Sequence, residues 1–256
     1  MDYPQFLSKL SAIKAMGYVP SHRAGDTGVG KTLEDLLGIE ENNIDGPDFE
    51  TYELKSARKE AGSMLTLFTK VPEPTGANSL LLTHFGYPPR KKPAVQRSVQ
   101  LHLAPTVTVE APELPSVKLT NELHVTVEFG RENSVGLKLS LDSDKLLIDN
   151  RKGVPAYYGR NYLQEAFERK YGHKLVYVLA DSRKHRGQAE EFWYNEARLL
   201  SDFDFPGFLQ LVRDRTIKLD LRLGHHPDGR PHDHGTGFRV FPRDLPRCFA
   251  QVESIL

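Results

Sequence analysis

Two short apolar runs constrain this chain more than anything else in it. SMLTLFTK (Ser63 to Lys70) is almost continuously apolar, the pattern of a strand buried on both faces, and KLVYVLAD (Lys174 to Asp181) is a second apolar strand. Helical and alternating patterns surround them. MDYPQFLSKLSAIKAMG sets Phe6, Leu7, Leu10, Ile13 and Met16 on one side of an amphipathic helix, and TLEDLLG (Thr32 to Gly38) is a helix closed by Gly38 in the left-handed conformation. FETYELKSA alternates as a strand does. Between about Val107 and Ile148, TVTVE, LHVTVEF, VGLKLSL and KLLID are short β segments. Helices are expected over about Gly159 to Tyr171 and roughly Ala189 to Leu200. TIKLDLRL and HHPDGRPHDHGTGFRVF then alternate strand and loop. The expected fold class is α/β, a mixed sheet with flanking helices.

The 256 residues suffice for one large domain or two lobes sharing a core, and 39% hydrophobic with 27% charged residues fits an ordinary soluble globular protein. No apolar run approaches the roughly 20 residues that span a bilayer, and the first helix lacks the unbroken apolar core of a signal peptide. The single cysteine, Cys248, allows no internal disulfide, which fits a reducing cytoplasmic home and no membrane partner. Formal net charge is zero, 34 Lys and Arg against 34 Asp and Glu, which argues mildly against a nucleic-acid binder. The basic groups are local, however. RKKPAVQR (Arg90 to Arg97), SRKHR (Ser182 to Arg186) and the stretch from Arg213 to Arg247 concentrate them as a groove-lined binder requires.

The stretch GDTGVGKT (Gly25 to Thr32) matches GxxxxGK[ST], the loop that cradles nucleotide phosphates. Such a loop needs a buried parallel strand feeding it and a helix aiming its amides at the phosphates. The helix is present. The preceding MGYVPSHRA, broken by Pro20, His22 and Arg23, is not such a strand. LVYVLAD, an apolar strand ending in Asp181, suits a Mg²⁺-linked aspartate, but that pattern is common to α/β proteins. A nucleoside triphosphatase remains one alternative.

A second constellation follows: PDFETYELK (Pro47 to Lys55), a PD pair, four residues, then ExK. On a strand, residues two apart face the same way, so Glu53 and Lys55 share one face while Tyr52 and Leu54 turn to the core. Asp48 begins the segment, close enough to share a cation with Glu53. Two carboxylates and a main-chain carbonyl make a hard oxygen site, and an ammonium beside them can orient water and stabilise phosphoryl charge. ELK could also be three solvated residues on a strand edge. The helix after the glycine turn adds a third carboxylate, Glu34.

GVGKTLEDLLG, the PD…ELKSAR segment, the MLTLFT strand and HDHGTGFRV appear in that order. Together they resemble the PD-(D/E)xK nucleases, and within them the MutH-like branch of MvaI/BcnI restriction endonucleases, from about Gly25 to Val240. The resemblance implies a PD-(D/E)xK restriction-endonuclease-like core, two lobes around a DNA cleft, and a glycine turn that positions the helix carrying Glu34. It implies a type II restriction endonuclease that hydrolyses double-stranded DNA at a short G·C-rich, CCNGG-type site, leaving 5′-phosphate ends. Mg²⁺ is the implied cofactor, with Mn²⁺ able to substitute. By the same resemblance Asp48, Glu53 and the Leu54 carbonyl would ligate the metal, Lys55 would position the attacking water, and Glu34 would act through a group that itself touches the metal or on a second cation. Lys31 is a candidate phosphate contact. Arg reads guanine, and Asp or Glu accepts from cytosine N4, so the DNA-reading candidates are Arg222, Asp228, Arg230, His232, Asp233, His234, Thr236 and Arg239, with His234, Thr236 and Arg239, in the segment most like the family, favoured for DNA contact. Those histidines could instead bind zinc or simply occupy loops; lone Cys248 and irregular H-x-H spacing speak against zinc. The resemblance further implies a monomer that nicks one strand and then the other, and a cognate DNA methyltransferase in the same cell. Residues 1–110 would form mainly the catalytic lobe and 111–256 mainly the recognition lobe. A MutH-like mismatch-repair nickase is the nearest alternative. Binding should weaken steeply with salt if several phosphates are neutralised.

Overall fold

The computed structural model describes residues 1–39, 51–89, 121–171, 174–226 and 228–256. Helix α1 (Tyr3–Ala15) starts where Asp2 and Gln5 cap each other: the Gln5 amide donates to the Asp2 carboxylate at 2.8 Å, and the Asp2 amide donates to the Gln5 side chain at 3.2 Å. Two of the donors left over at a helix start are thereby satisfied. Phe6, Leu10 and Ile13 are buried as the pattern requires, whereas Met16 lies beyond the last turn and is 57% exposed. Helix α2 (Gly28–Leu37) ends at Gly38, whose φ of 73° is the expected left-handed cap. Its start is set by sterics. A Cβ on Gly28 would lie 2.3 Å from the Arg23 carbonyl oxygen and 2.6 Å from the Ser21 hydroxyl, while one on Gly30 would meet nothing nearer than 3.7 Å.

The first sheet contains β1 (Val19–Pro20), β2 (Tyr52–Arg58), β8 (Lys174–Lys184), β9 (Glu190–Ser201) and β13 (Gln251–Ser254), in the order β1–β9–β8–β2 with β13 also on β9. β2 and β8 run parallel, from Tyr52 opposite Lys174 to Arg58 opposite Ala180, and the other pairings are antiparallel. The helix expected over about Ala189 to Leu200 is this long strand β9. Tyr194, Ala197 and Leu200 are spaced by three as on a helix, but a register shift between Leu179 and Ala180 of β8 places a bulge opposite, at Asn195. The extra residue keeps Tyr194 and Ala197 on one face, whereas Leu200 lies on the other face in the larger core, so a bulge and burial on both faces together give an apparent period of three.

The second sheet contains β3 (Leu65–Thr69), β4 (Leu123–Val127), β10 (Lys218–His225), β11 (Pro231–Asp233) and β12 (Gly237–Val240), in the order β11–β10–β12–β3, with β4 also along β10. A meander of β5 (Leu137–Asp142), β6 (Lys145–Asn150) and β7 (Tyr157–Gly159) forms the third. Helices α3 (Ala77–Phe85), α4 (Arg160–Tyr171) and α5 (Phe205–Arg213) and a 3-10 helix (Pro242–Cys248) are the remaining elements of the described residues. The expected helix before KLVYVLAD is α4. TVTVE, RKKPAVQR and the expected lobe boundary at residue 110 lie outside the described residues. Strands from both sides of that boundary share sheets: β2 pairs with β8, and β3 with β12.

Two cores sandwich the first sheet. On one face, Phe6, Leu10 and Ile13 of α1 and Val29, Leu33 and Leu37 of α2 pack against Val176, Val178 and Tyr194. The other face joins a larger core that runs through the remaining two sheets, α3, α4 and α5. Phe68 of β3 and Phe238 of β12 meet Phe208 of α5 with centroids 5.6 and 5.2 Å away, and Phe208 meets Phe167 of α4 at 5.2 Å. Each such aromatic pair adds about 0.5–1.5 kcal/mol beyond its buried area. Among the described residues no helix is long and apolar enough to cross a membrane.

Two outcomes follow from this packing. Gly28→Ala should lower stability by about 1–3 kcal/mol through overpacking, while Gly30→Ala, inside the helix with room for a methyl, should be neutral or add about 1 kcal/mol; urea unfolding of both variants measures the contrast. Cys248 is 6% exposed, and burial pushes its thiol up to about 12. A disulfide reagent at pH 8 should therefore label the native protein far more slowly than the protein in denaturant, and equal rates would contradict this core.

Candidate active site

β2 is held at one end of the first sheet, and its alternation separates packing from chemistry. Tyr52 and Leu54 turn to the core beneath α1 and α2, while Ala57 belongs to the larger core on the opposite face. Glu53 and Lys55 share the Ala57 face. Their side chains are 12% and 17% exposed, with the Lys55 ammonium 3.1 Å from Glu53 Oε1. Lys170, near the end of α4, brings a second ammonium to within 4.0 Å of Glu53 Oε2. The Glu53 charge also reaches Tyr171, whose hydroxyl is held un-ionised by burial first and by that carboxylate second.

The orientation of the Leu54 carbonyl follows from the ladder. The Lys59 amide donates to the Ala180 carbonyl at 2.9 Å, and β2 keeps one register along β8. Main-chain groups of odd-numbered β2 residues therefore face β8, and the Leu54 carbonyl faces away from it. A carboxylate and a main-chain carbonyl on consecutive residues are hard oxygen donors of the kind Mg²⁺ takes, so the donors fit such a cation in kind. Asp48 lies outside the described residues, and among those described no three His, Cys, Asp or Glu side chains converge as a metal-binding group. Glu34, on α2, lies beside Ser56 of β2: its Oε1 and the Ser56 hydroxyl come within 3.9 and 3.7 Å of where a Gly30 Cβ would sit. By alternation Ser56 is on the face opposite Glu53 and Lys55.

The turn that resembles a phosphate loop has the wrong surroundings for one. The strand before it, β1, is two residues long and antiparallel to β9. Thr32, whose hydroxyl a phosphate loop uses on its metal, is fully buried and accepts from the His22 amide at 2.9 Å. Lys31 pairs with Asp35 at 3.0 Å, and the hydrogen bond from His22, then that from Lys31, lowers the Asp35 carboxyl below its usual value.

The expected DNA-reading residues fall into two groups. Arg222, Asp228 and Arg230 have exposed side chains (47%, 50% and 78%), Arg222 against Asp220 and Arg230 against Asp228, both at 2.7 Å. His232 and His234 stack edge-on at 4.2 Å, His226 joins His232 at 4.1 Å, and His124 of β4 lies 5.9 Å from His234. Burial, then His232 and His124, pull His234 below the usual histidine value. Asp233, Thr236 and Arg239 are engaged in building the turn. Asp233 accepts from the Gly235 and Thr236 amides at 2.8 and 2.6 Å and from Asn78 at 2.8 Å. Thr236, 1% exposed, accepts from the Arg222 amide at 3.3 Å. Arg239 is 7% exposed, bonded to Thr66 and to the Gly235 carbonyl. Its Nε is 2.9 Å from Asp220 but off the hydrogen-bond line, so that contact is ionic. Asp220 thus joins Arg222 and Arg239. Sequence patterns single out neither this bridging role nor Lys170, which reaches Glu53 only through the tertiary fold.

Comparison with known proteins now bears on the whole chain. The family model described as the MvaI/BcnI restriction endonuclease family matches residues 7–249. No curated protein sequence matches. Among solved structures, restriction endonuclease MvaI in complex with its cognate DNA substrate superposes with a TM-score of 0.77 at 27% identity, covering 100% of both chains. MvaI in the absence of DNA superposes with a TM-score of 0.55 at 26% identity, covering 100% of this chain and 99% of that one. The superposition is closer on the DNA-bound structure than on the DNA-free one. Family match and full-length structural match agree: the chain belongs to the MvaI/BcnI restriction endonuclease family and is a type II site-specific endonuclease.

Proposed function

We propose that the chain cleaves double-stranded DNA at a short G·C-rich, CCNGG-type site with Mg²⁺ as cofactor, leaving 5′-phosphate ends, and that Glu53 and Lys55 on β2 form its cleavage centre. The observation that carries the reading is their juxtaposition at 3.1 Å on one face of a strand whose other face is packed. Glu53, the Leu54 carbonyl and Asp48 would hold the cation. When bound, a divalent ion supplies positive charge at the scissile phosphate and lowers the pKa of water. Lys55 orients the attacking water and carries positive charge beside the phosphoryl oxygens. Lys170 adds positive charge on the other side of Glu53. Glu34 acts from the α2 side, through a group that itself touches the cation or on a second cation.

Sequence reading falls to the β10–β12 segment. Arg222, Asp228, Arg230, His232 and His234 are the groups assigned to base edges or phosphates. Asp233, Thr236 and Arg239 position them by fixing the turn. In this reading the chain acts as a monomer in the cytoplasm, nicks the two strands in succession, and shares its cell with a methyltransferase that protects the site. The division into a mainly catalytic and a mainly recognition lobe is retained as part of the proposal, with the two interwoven through shared sheets.

Purified protein incubated with Mg²⁺ and unmethylated plasmid carrying CCNGG-type sites should give discrete fragments with 5′-phosphate ends. Glu53→Gln and Lys55→Ala should each slow cleavage by about 100-fold or more while still binding the same DNA, and Lys31→Ala should keep most of the activity. Wild-type rates from Lys55→Ala, or fragments without a common site, would contradict the proposal.

A further inference from the structure

Arg58 ends β2, three positions after Lys55, and its side chain lies on the α2 face of the strand. Its Nε and Nη2 donate to the two carboxylate oxygens of Glu190 on β9, both at 2.7 Å. Nη1 donates to the Asp26 carbonyl and Nη2 also to the Gly25 carbonyl, each at 3.1 Å. The guanidinium rests over the Phe192 ring, 5.1 Å from its centroid. Glu190 raises the Arg58 pKa, and Arg58 lowers that of Glu190, so both remain charged at neutral pH.

This inverts the polarity of a phosphate loop. A phosphate loop turns amide N–H groups inward toward an anion; here the glycine turn offers two carbonyl oxygens to a cation that belongs to the cleavage strand. One planar fork joins three elements: β2, β9 and the turn that opens α2. A lysine could keep the charge but not serve acceptors in four directions from one rigid plane. α2 then carries Glu34 to the side of Ser56, two residues before Arg58.

We propose that Arg58 is a positioning residue for cleavage: its clamp on Gly25, Asp26 and Glu190 fixes where α2 places Glu34 relative to the strand bearing Glu53 and Lys55. The proposal rests on the reading that β2 carries the cleavage centre. It accounts for the nucleotide-loop likeness of GDTGVGKT without a nucleotide, as the form of a socket for a guanidinium.

Single-turnover cleavage of a cognate duplex across a Mg²⁺ titration tests it, using wild type, Arg58→Lys, Glu34→Gln, the double variant and Lys55→Ala. DNA affinity in EDTA and cooperative thermal unfolding are measured on each. Arg58→Lys should unfold cooperatively and bind DNA as wild type does, yet cleave about 10-fold or more slowly with a raised Mg²⁺ requirement. In the Glu34→Gln background the Arg58→Lys change should have little further effect, since both alter one arrangement. Arg58→Lys at the wild-type rate, or effects of the two changes that multiply independently, overturns the proposal. Wild-type cleavage by Lys55→Ala overturns the cleavage-centre reading beneath it, a result separate from either.

Discussion

The parallel pairing of β2 with β8 is the constraint on which the rest depends. Its continuous register fixes which residues of β2 face which core. A slip by one residue would turn every side chain over, sending Glu53 and Lys55 into the apolar layer beneath α1 and α2 and exposing Tyr52 and Leu54. Burying that carboxylate and ammonium there is costly even as a pair, so the hydrophobic pattern and the chemistry enforce the same register. The Leu54 carbonyl, facing away from β8, is a consequence of that register as much as the Glu53–Lys55 pair is.

The first two sheets are joined through one core. Strands β10 and β12 bury Leu219, Leu221, Leu223, Phe238 and Val240 in the same core that receives Ala57 of β2 and Tyr177 of β8. Tyr177 also donates to the Pro242 carbonyl at 3.3 Å, just past β12, and Tyr171 to the Leu67 carbonyl of β3 at 3.3 Å. A close-packed interior transmits displacement rather than absorbing it. On the other side of the sheet of β10 and β12, Asp220 neutralises part of the charge on Arg222 and Arg239 and fixes their guanidinium groups relative to each other.

The sequence shows the elements that rest on period and local stereochemistry. Gly38 ends α2, Phe6, Leu10 and Ile13 bury α1, and the alternation of ETYELK puts Glu53 beside Lys55. It misreads β9, because the bulge at Asn195 and burial on both faces together mimic a helical spacing and Glu, Ala, Arg and Leu favour helix locally; pairing with β8 on one side and β1 and β13 on the other overrides that preference. The contributions of Lys170, Arg58 and Asp220 are invisible in the sequence for another reason. Each acts on a partner brought near by sheet topology, Arg58 on Glu190 and Lys170 on Glu53, and no spacing rule encodes such a distance. Thr236 and Arg239 illustrate the reverse: their motif is readable, but their burial is set by strands β3 and β4 packing beside β10 and β12.

The central claim is that β2 holds the catalytic cation through Glu53. Calorimetric titration of Mg²⁺ into the protein bound to a cognate duplex with a non-hydrolysable scissile linkage tests it most directly, comparing wild type with Glu53→Gln. The account requires a Mg²⁺ site in the wild-type complex that is lost or greatly weakened in Glu53→Gln while the duplex stays bound. Equal Mg²⁺ affinity in the two complexes would place the cation elsewhere and contradict the account.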